Sequence, residues 1–94
     1  MTTALKEVVI LKKPDNECPN CKNLGMFLDL ALGGKYNDKV DFVRSYEQPE
    51  LYYQMVEDFE IMSMPAIIDL SENKVIATGF NPAATNEFLL AKFG

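Results

Sequence analysis

The stretch Val8-Val9-Ile10-Leu11-Lys12-Lys13-Pro14-Asp15-Asn16-Glu17-Cys18-Pro19-Asn20-Cys21 decides the reading of this chain. Val8 to Leu11 is a continuous, largely β-branched apolar run, as expected for a central strand buried on both faces. Lys12 to Glu17 is polar and carries Pro14, so it reads as a loop. A helix is expected to start at Cys18-Pro19, because proline at the first helical position brings its fixed φ and has no N–H to leave unpaired. The two cysteines therefore fall at the N-terminus of a helix that follows a buried strand.

Outward from there, Leu24, Phe27, Leu28 and Ala31 recur at the spacing of one apolar helical stripe, and Gly33-Gly34 ends it. Val40 to Arg44 alternates in part and reads as a second strand. It is joined to the first through a helix, so the two should be parallel with a right-handed crossover. Pro49 opens a second helix with Tyr52, Met55, Val56 and Phe59 on its apolar face, ending near Phe59 or Glu60. Tyr52, Tyr53 and Met55 read as core and boundary packing. Ala66 to Leu70 is a third strand. The polar tetrapeptide Ser71 to Lys74 marks a hairpin into a fourth, Val75 to Phe80. Asn81 caps a last helix that starts at Pro82 and runs to about Phe93, with Phe88, Leu89 and Phe93 inward. The order is β-α-β-α-β-β-α: an α/β fold with a central four-stranded mixed sheet flanked by three helices.

At 94 residues the chain is read as one domain, residues 1–94, with no repeat or linker. Nine Lys and Arg against fourteen Asp and Glu leave a net charge of −5 without a basic cluster, so nucleic acid is not an expected partner. No apolar run approaches the roughly 20 residues of a membrane span. Residues Met1 to Glu7 show no basic stretch followed by an apolar one, so no secretory leader is expected and the expected location is the reducing cytoplasm. The absence of His excludes Ser–His and Cys–His catalysis and His-ligated metal.

Three chemistries compete for Cys18 and Cys21. A zinc site would need two further ligands from carboxylates or a second chain. A structural disulfide closing so short a loop would remove only about 2 kcal/mol of unfolded-chain entropy. The third is a redox dithiol, and the position after a strand and at a helix start favours it. The unpaired N–H groups and positive end of the helix favour the Cys18 thiolate, into a pKa range of about 3.5–7.5 in such motifs. Cys18 is then the nucleophile, and Cys21, one turn on, is the resolving thiol. Pro19 stiffens the turn. Asp15 and Glu17 oppose the thiolate, Lys22 offsets them, and Lys12, Lys13 and Lys22 read as solvated surface charges.

The order of elements and three motifs resemble the thioredoxin superfamily from Val8 to Phe93. The motifs are Cys18-Pro19-Asn20-Cys21, the segment Phe59-Glu60-Ile61-Met62-Ser63-Met64-Pro65 before the third strand, and Gly79-Phe80 near the end of the fourth. The resemblance implies a cis Met64–Pro65 peptide facing Cys18, with a backbone edge where substrate pairs in strand fashion. The alternative for Pro65 is an ordinary proline at a strand start. Substrate contacts are implied for Pro19, Asn20, Met64, Pro65, Gly79 and Phe80. For Phe80, core packing stands as the equal alternative. The buried Asp of thioredoxins has no evident counterpart, and Lys12 falls close to its place.

Within the superfamily, the direct start at the central strand and the CPxC pattern are similar to glutaredoxin-like proteins. Gly79-Phe80-Asn81-Pro82 resembles part of the corresponding segment of NrdH-type redoxins. The resemblance implies a monomeric protein dithiol–disulfide oxidoreductase with a redox-active Cys18–Cys21 disulfide and no tightly bound cofactor. It also implies electrons from an NADPH-dependent thioredoxin reductase, and a disulfide-containing protein substrate such as ribonucleotide reductase. The alternatives are a glutathione-dependent glutaredoxin and a non-catalytic interaction module on the same fold.

Overall fold

The computed structural model describes residues 5–94. Residues 1–4, which carry part of the expectation about a leader, lie outside the described residues. The elements are β1 (Val8–Lys12), α1 (Pro19–Met26), β2 (Val40–Arg44), α2 (Pro49–Asp58), β3 (Ala66–Asp69), β4 (Lys74–Thr78) and α3 (Pro82–Phe93). The strands form one mixed sheet in the order β2-β1-β3-β4. β1 runs parallel to β2, with Val8 opposite Val40 and Lys12 opposite Arg44. It runs antiparallel to β3, with Leu11 opposite Ala66. β3 and β4 form the antiparallel hairpin, irregular between Ile67 and Ile68.

β1 is buried along its whole length, and its period-2 alternation divides the core in two. Val8 and Ile10 face one side, where Leu24, Leu28, Tyr36 and Leu89 pack around α1 and α3. Val9 and Leu11 face the other, against Tyr52, Met55 and Ile61 on and beyond α2. One strand with two apolar faces thus anchors helices on both sides of the sheet, and its ends converge with theirs.

Several boundaries differ from the sequence expectations. Lys12 belongs to β1, not to the loop, because the ladder to Arg44 continues through it. β3 ends at Asp69, and β4 ends at Thr78, leaving Gly79 and Phe80 beyond the strand. The stripe of the first helix continues past Met26 as a π-helical turn over Phe27–Ala31, with the Leu32 N–H donating to the Phe27 carbonyl at 3.0 Å. The wider turn rotates Ala31 off the stripe, so it is exposed while Leu28 stays buried. α2 ends at Asp58, and Glu60 takes a left-handed φ of 53°. On α2, Tyr53 is 63% exposed, not core. It follows Tyr52 directly, and a 100° step along a helix carries it off the buried face.

Candidate active site

Cys18 caps α1. Its backbone is extended (φ −140°, ψ 92°), its carbonyl accepts the first helical bond from the Lys22 N–H at 3.1 Å, and Pro19 occupies the first helical position. In this conformation its side chain folds back over the helix end, and its Sγ accepts from the Cys21 N–H at 3.1 Å. Cys18 and Cys21 are joined as a disulfide, with Cα atoms 5.2 Å apart. Cys18 is 8% exposed and Cys21 is fully buried beneath it. The sulfur of Cys21 in turn accepts from the backbone N–H of Lys13 at 3.4 Å. Each sulfur therefore faces an amide donor, an arrangement that favours negative charge on either one.

The segment entering β3 meets this pair from the other side. The Met64–Pro65 peptide is cis, and the Met64 carbonyl oxygen lies 3.8 Å from the Cys18 Sγ. Pro65 is buried. Its carbonyl accepts from the Gly79 N–H at 2.8 Å, and Gly79 takes a left-handed φ of 72°. Gly79 thus ties the end of β4 to the segment beside the disulfide. Phe80 is half-buried and packs edge-to-face on Phe27, with ring centroids 6.0 Å apart. Pro19 and Asn20 are exposed next to Cys18. Of the site residues read from sequence, Cys18 meets Cys21 and Met64, and Pro65 meets Gly79, whereas Phe80 packs on Phe27 of the helical stripe.

Two features were missed. A cavity of about 190 Å³ opens beside Met64, lined also by Lys13, Tyr52, Tyr53, Ser63 and Met62, the last 93% exposed. The off-stripe position of Tyr53 could have signalled it. The second is Lys12, expected as a surface charge and found 8% exposed. It shares a strand face with Val8 and Ile10, so the alternation that buries them carries its side chain under α1. Lys13, just beyond the end of β1, and Lys22 are exposed as expected.

At the far end of the sheet, Asp69 is buried on β3. Burial alone would raise its carboxyl. The Ser71 hydroxyl at 2.6 Å and amide at 3.0 Å, with the Lys92 ammonium at 3.3 Å, outweigh that and hold it below the ordinary carboxylate range. Burial, with the neighbouring Tyr53, raises the Tyr52 phenol. Among the described residues there is no grouping of three or more His, Cys, Asp or Glu side chains that could hold a metal ion. No helix among them is long and apolar enough to cross a membrane.

No family model, curated protein or solved structure matches the chain in comparisons with known proteins.

Proposed function

We propose that the chain is a small redoxin of the thioredoxin superfamily, a protein dithiol–disulfide oxidoreductase working in a reducing compartment such as the cytoplasm. The observation that carries this reading is the disulfide at the start of α1, with the Cys18 sulfur beside the Met64 carbonyl. The mixed sheet, with its parallel β1–β2 pair and antiparallel β3–β4 hairpin, supports a thioredoxin fold.

In the proposed cycle the reduced Cys18 thiolate attacks a disulfide of the partner protein, and one partner sulfur leaves. The partner chain lies along Met64–Pro65, flanked by Pro19, Asn20, Gly79 and Phe80. Cys21 then attacks Cys18, closing the disulfide and releasing the reduced partner. An NADPH-dependent thioredoxin reductase restores the dithiol by exchange. The cycle needs no resident cofactor and only a transient encounter, so a monomer suffices.

The start of α3 supports a reductase over glutathione as the electron source. Pro82 has no N–H, and the Ala84 N–H is already taken by the Asn81 side chain at 3.1 Å. Only the Ala83 amide is left in that first turn for a ligand carboxylate.

The test follows NADPH consumption during reduction of insulin, with thioredoxin reductase in one assay and glutathione plus glutathione reductase in the other. Turnover with thioredoxin reductase supports the proposal and makes ribonucleotide reductase the next substrate to try. Turnover with glutathione alone replaces it with the glutaredoxin reading. No turnover in either, with free thiols verified, leaves a non-catalytic module or a redoxin served by a different, specialised reductase.

A further inference from the structure

Lys12 and Arg44 set two like charges side by side on one face of the sheet. They are register partners across the β1–β2 ladder, where like charges repel. The Lys12 Nζ lies 5.8 Å from the centroid of the Phe42 ring and the Arg44 Cζ lies 5.1 Å from it, so both cations gather on a single ring. The carboxylates beside them compensate weakly. Asp15 stands 3.8 Å from the Lys12 Nζ, beyond hydrogen-bond length, and its side chain is 59% exposed. Glu47 is exposed and holds Arg44 through one nitrogen at 3.3 Å, which leaves most of the guanidinium donors uncommitted. Lys12 itself is buried, and an ammonium taken out of water costs free energy unless an anion meets it closely.

These two side chains line a cavity of about 210 Å³ together with Gly25, Asp29, Asn37 and Phe42. A cavity of about 150 Å³ admits benzene, so this one has room for a molecule of similar or slightly larger size. Asn37 supplies a second, independent feature. Its Nδ2 donates to Asp29 Oδ1 at 2.7 Å, which fixes the orientation of the amide, because the reverse would oppose two acceptors. Its Oδ1 is then buried, and no donor among the described residues reaches it. A buried acceptor without a donor is costly. The cavity therefore presents two cations to an anion, and an acceptor beside a carboxylate to a donor, most favourably a charged one.

The cavity stands apart from the disulfide chemistry. Phe42 packs with the core on the α1 side of the sheet, whereas Met64 packs with the core on the α2 side.

We infer that this cavity binds a small α-amino acid, with its carboxylate on Lys12 and Arg44 and its ammonium on Asn37 Oδ1 and Asp29. One such ligand answers both the repelling cations and the orphaned acceptor. A simple carboxylate answers the first alone. Gly25 keeps the site open from the last turn of α1, since a Cβ there would lie 3.3 Å from the Lys12 Nζ. The inference needs no activity of the cysteine pair.

The test titrates the intact, isotope-labelled chain with L-alanine, L-lactate and propionate, followed by NMR. The three share a carboxylate and a methyl group and differ at the α position, which bears an ammonium, a hydroxyl or hydrogen. Glycine, L-threonine and L-leucine extend the series in side-chain size. Backbone amides and the Asn37 side-chain amide report where each molecule binds. Alanine should bind, with its largest shifts at Gly25, Asp29, Asn37 and Arg44. Propionate should bind about tenfold more weakly, because it leaves the Asn37 acceptor unmet, and lactate should fall between. Lactate or propionate binding as tightly as alanine would overturn the assignment to amino acids. Shifts confined to the start of α1 or of α3, or no saturable shift with any of the amino acids, would overturn the site.

Variants locate the contacts. Lys12→Met should abolish binding. Arg44→Gln, at a partly exposed position, should weaken it about tenfold through loss of a charged donor. Gly25→Ala favours the helix and should weaken binding by crowding the ammonium. Unchanged affinity in Arg44→Gln and Gly25→Ala would overturn the inference, whether or not Lys12→Met folds.

Discussion

The sulfur of Cys18 lies 3.8 Å from the carbonyl oxygen of Met64, 46 residues away in the chain. The approach follows from the sheet. β1 leads into the loop that ends at Cys18, Met64–Pro65 leads into β3, and Leu11 pairs with Ala66 where the two strands adjoin. Register therefore sets the helix end against that segment.

This relationship separates the roles of the two cysteines. Cys18→Ser should reduce turnover of a protein disulfide to background, because the outer sulfur is gone. Cys21→Ser should leave attack intact and resolution blocked. The partner then accumulates as a covalent adduct, seen as a band on a non-reducing gel that dithiothreitol removes. Turnover retained by Cys18→Ser would refute the assignment.

Gly79 donates to the Pro65 carbonyl from a left-handed conformation. No atom lies within 4 Å of an added Cβ, so Gly79→Ala should cost only the backbone term, about 1–2 kcal/mol. Urea denaturation should show a lower midpoint with an unchanged slope. A neutral result would mean that the turn relaxes out of this conformation.

Asp69 should govern part of the acid limb of stability. Its folded pKa is lowered, so its contribution is fully present above the unfolded carboxyl value of 3.8 and is lost as pH falls through the folded value. Melting temperature should fall with acidification below about pH 4, and Asp69→Asn should flatten that decline. Lys92→Met should act in the same direction, since Lys92 supplies the opposing charge. An acid limb of wild-type steepness in Asp69→Asn would show that other carboxyls set it.

Leu89 is fully buried between α3 and the sheet. Leu89→Ala should destabilise by about 2–5 kcal/mol, a transfer loss plus a cavity. Neighbouring Leu90 is 53% exposed, and Leu90→Ala should stay within about 0.5 kcal/mol. Comparing the two by denaturation tests the rotational setting of α3.

Local chemistry made much of this legible in the sequence. The unbroken apolar run of β1 could only be satisfied inside a sheet covered on both faces. Prolines 19, 49 and 82 mark the three helix starts, because each loses nothing by lacking an N–H there. The pairing of Cys18 with Cys21 was legible from its spacing at a helix start. Contacts set by register and by the rotation of a helix were not. The resemblance implied Met64–Pro65 facing Cys18, but the spacing of residues alone left open that β1 pairs with β3 and makes that approach. It also left open that the π-turn exposes Ala31. Nor did it determine that the Lys12 ammonium runs under Gly25. The physical reason is range. Capping, turn chemistry and alternation act over a few residues and are written in neighbouring side chains. Which ends meet, and which charge is buried, depends on packing between separate elements, such as Cys18 and Met64, 46 residues apart, or the end of β1 and the last turn of α1.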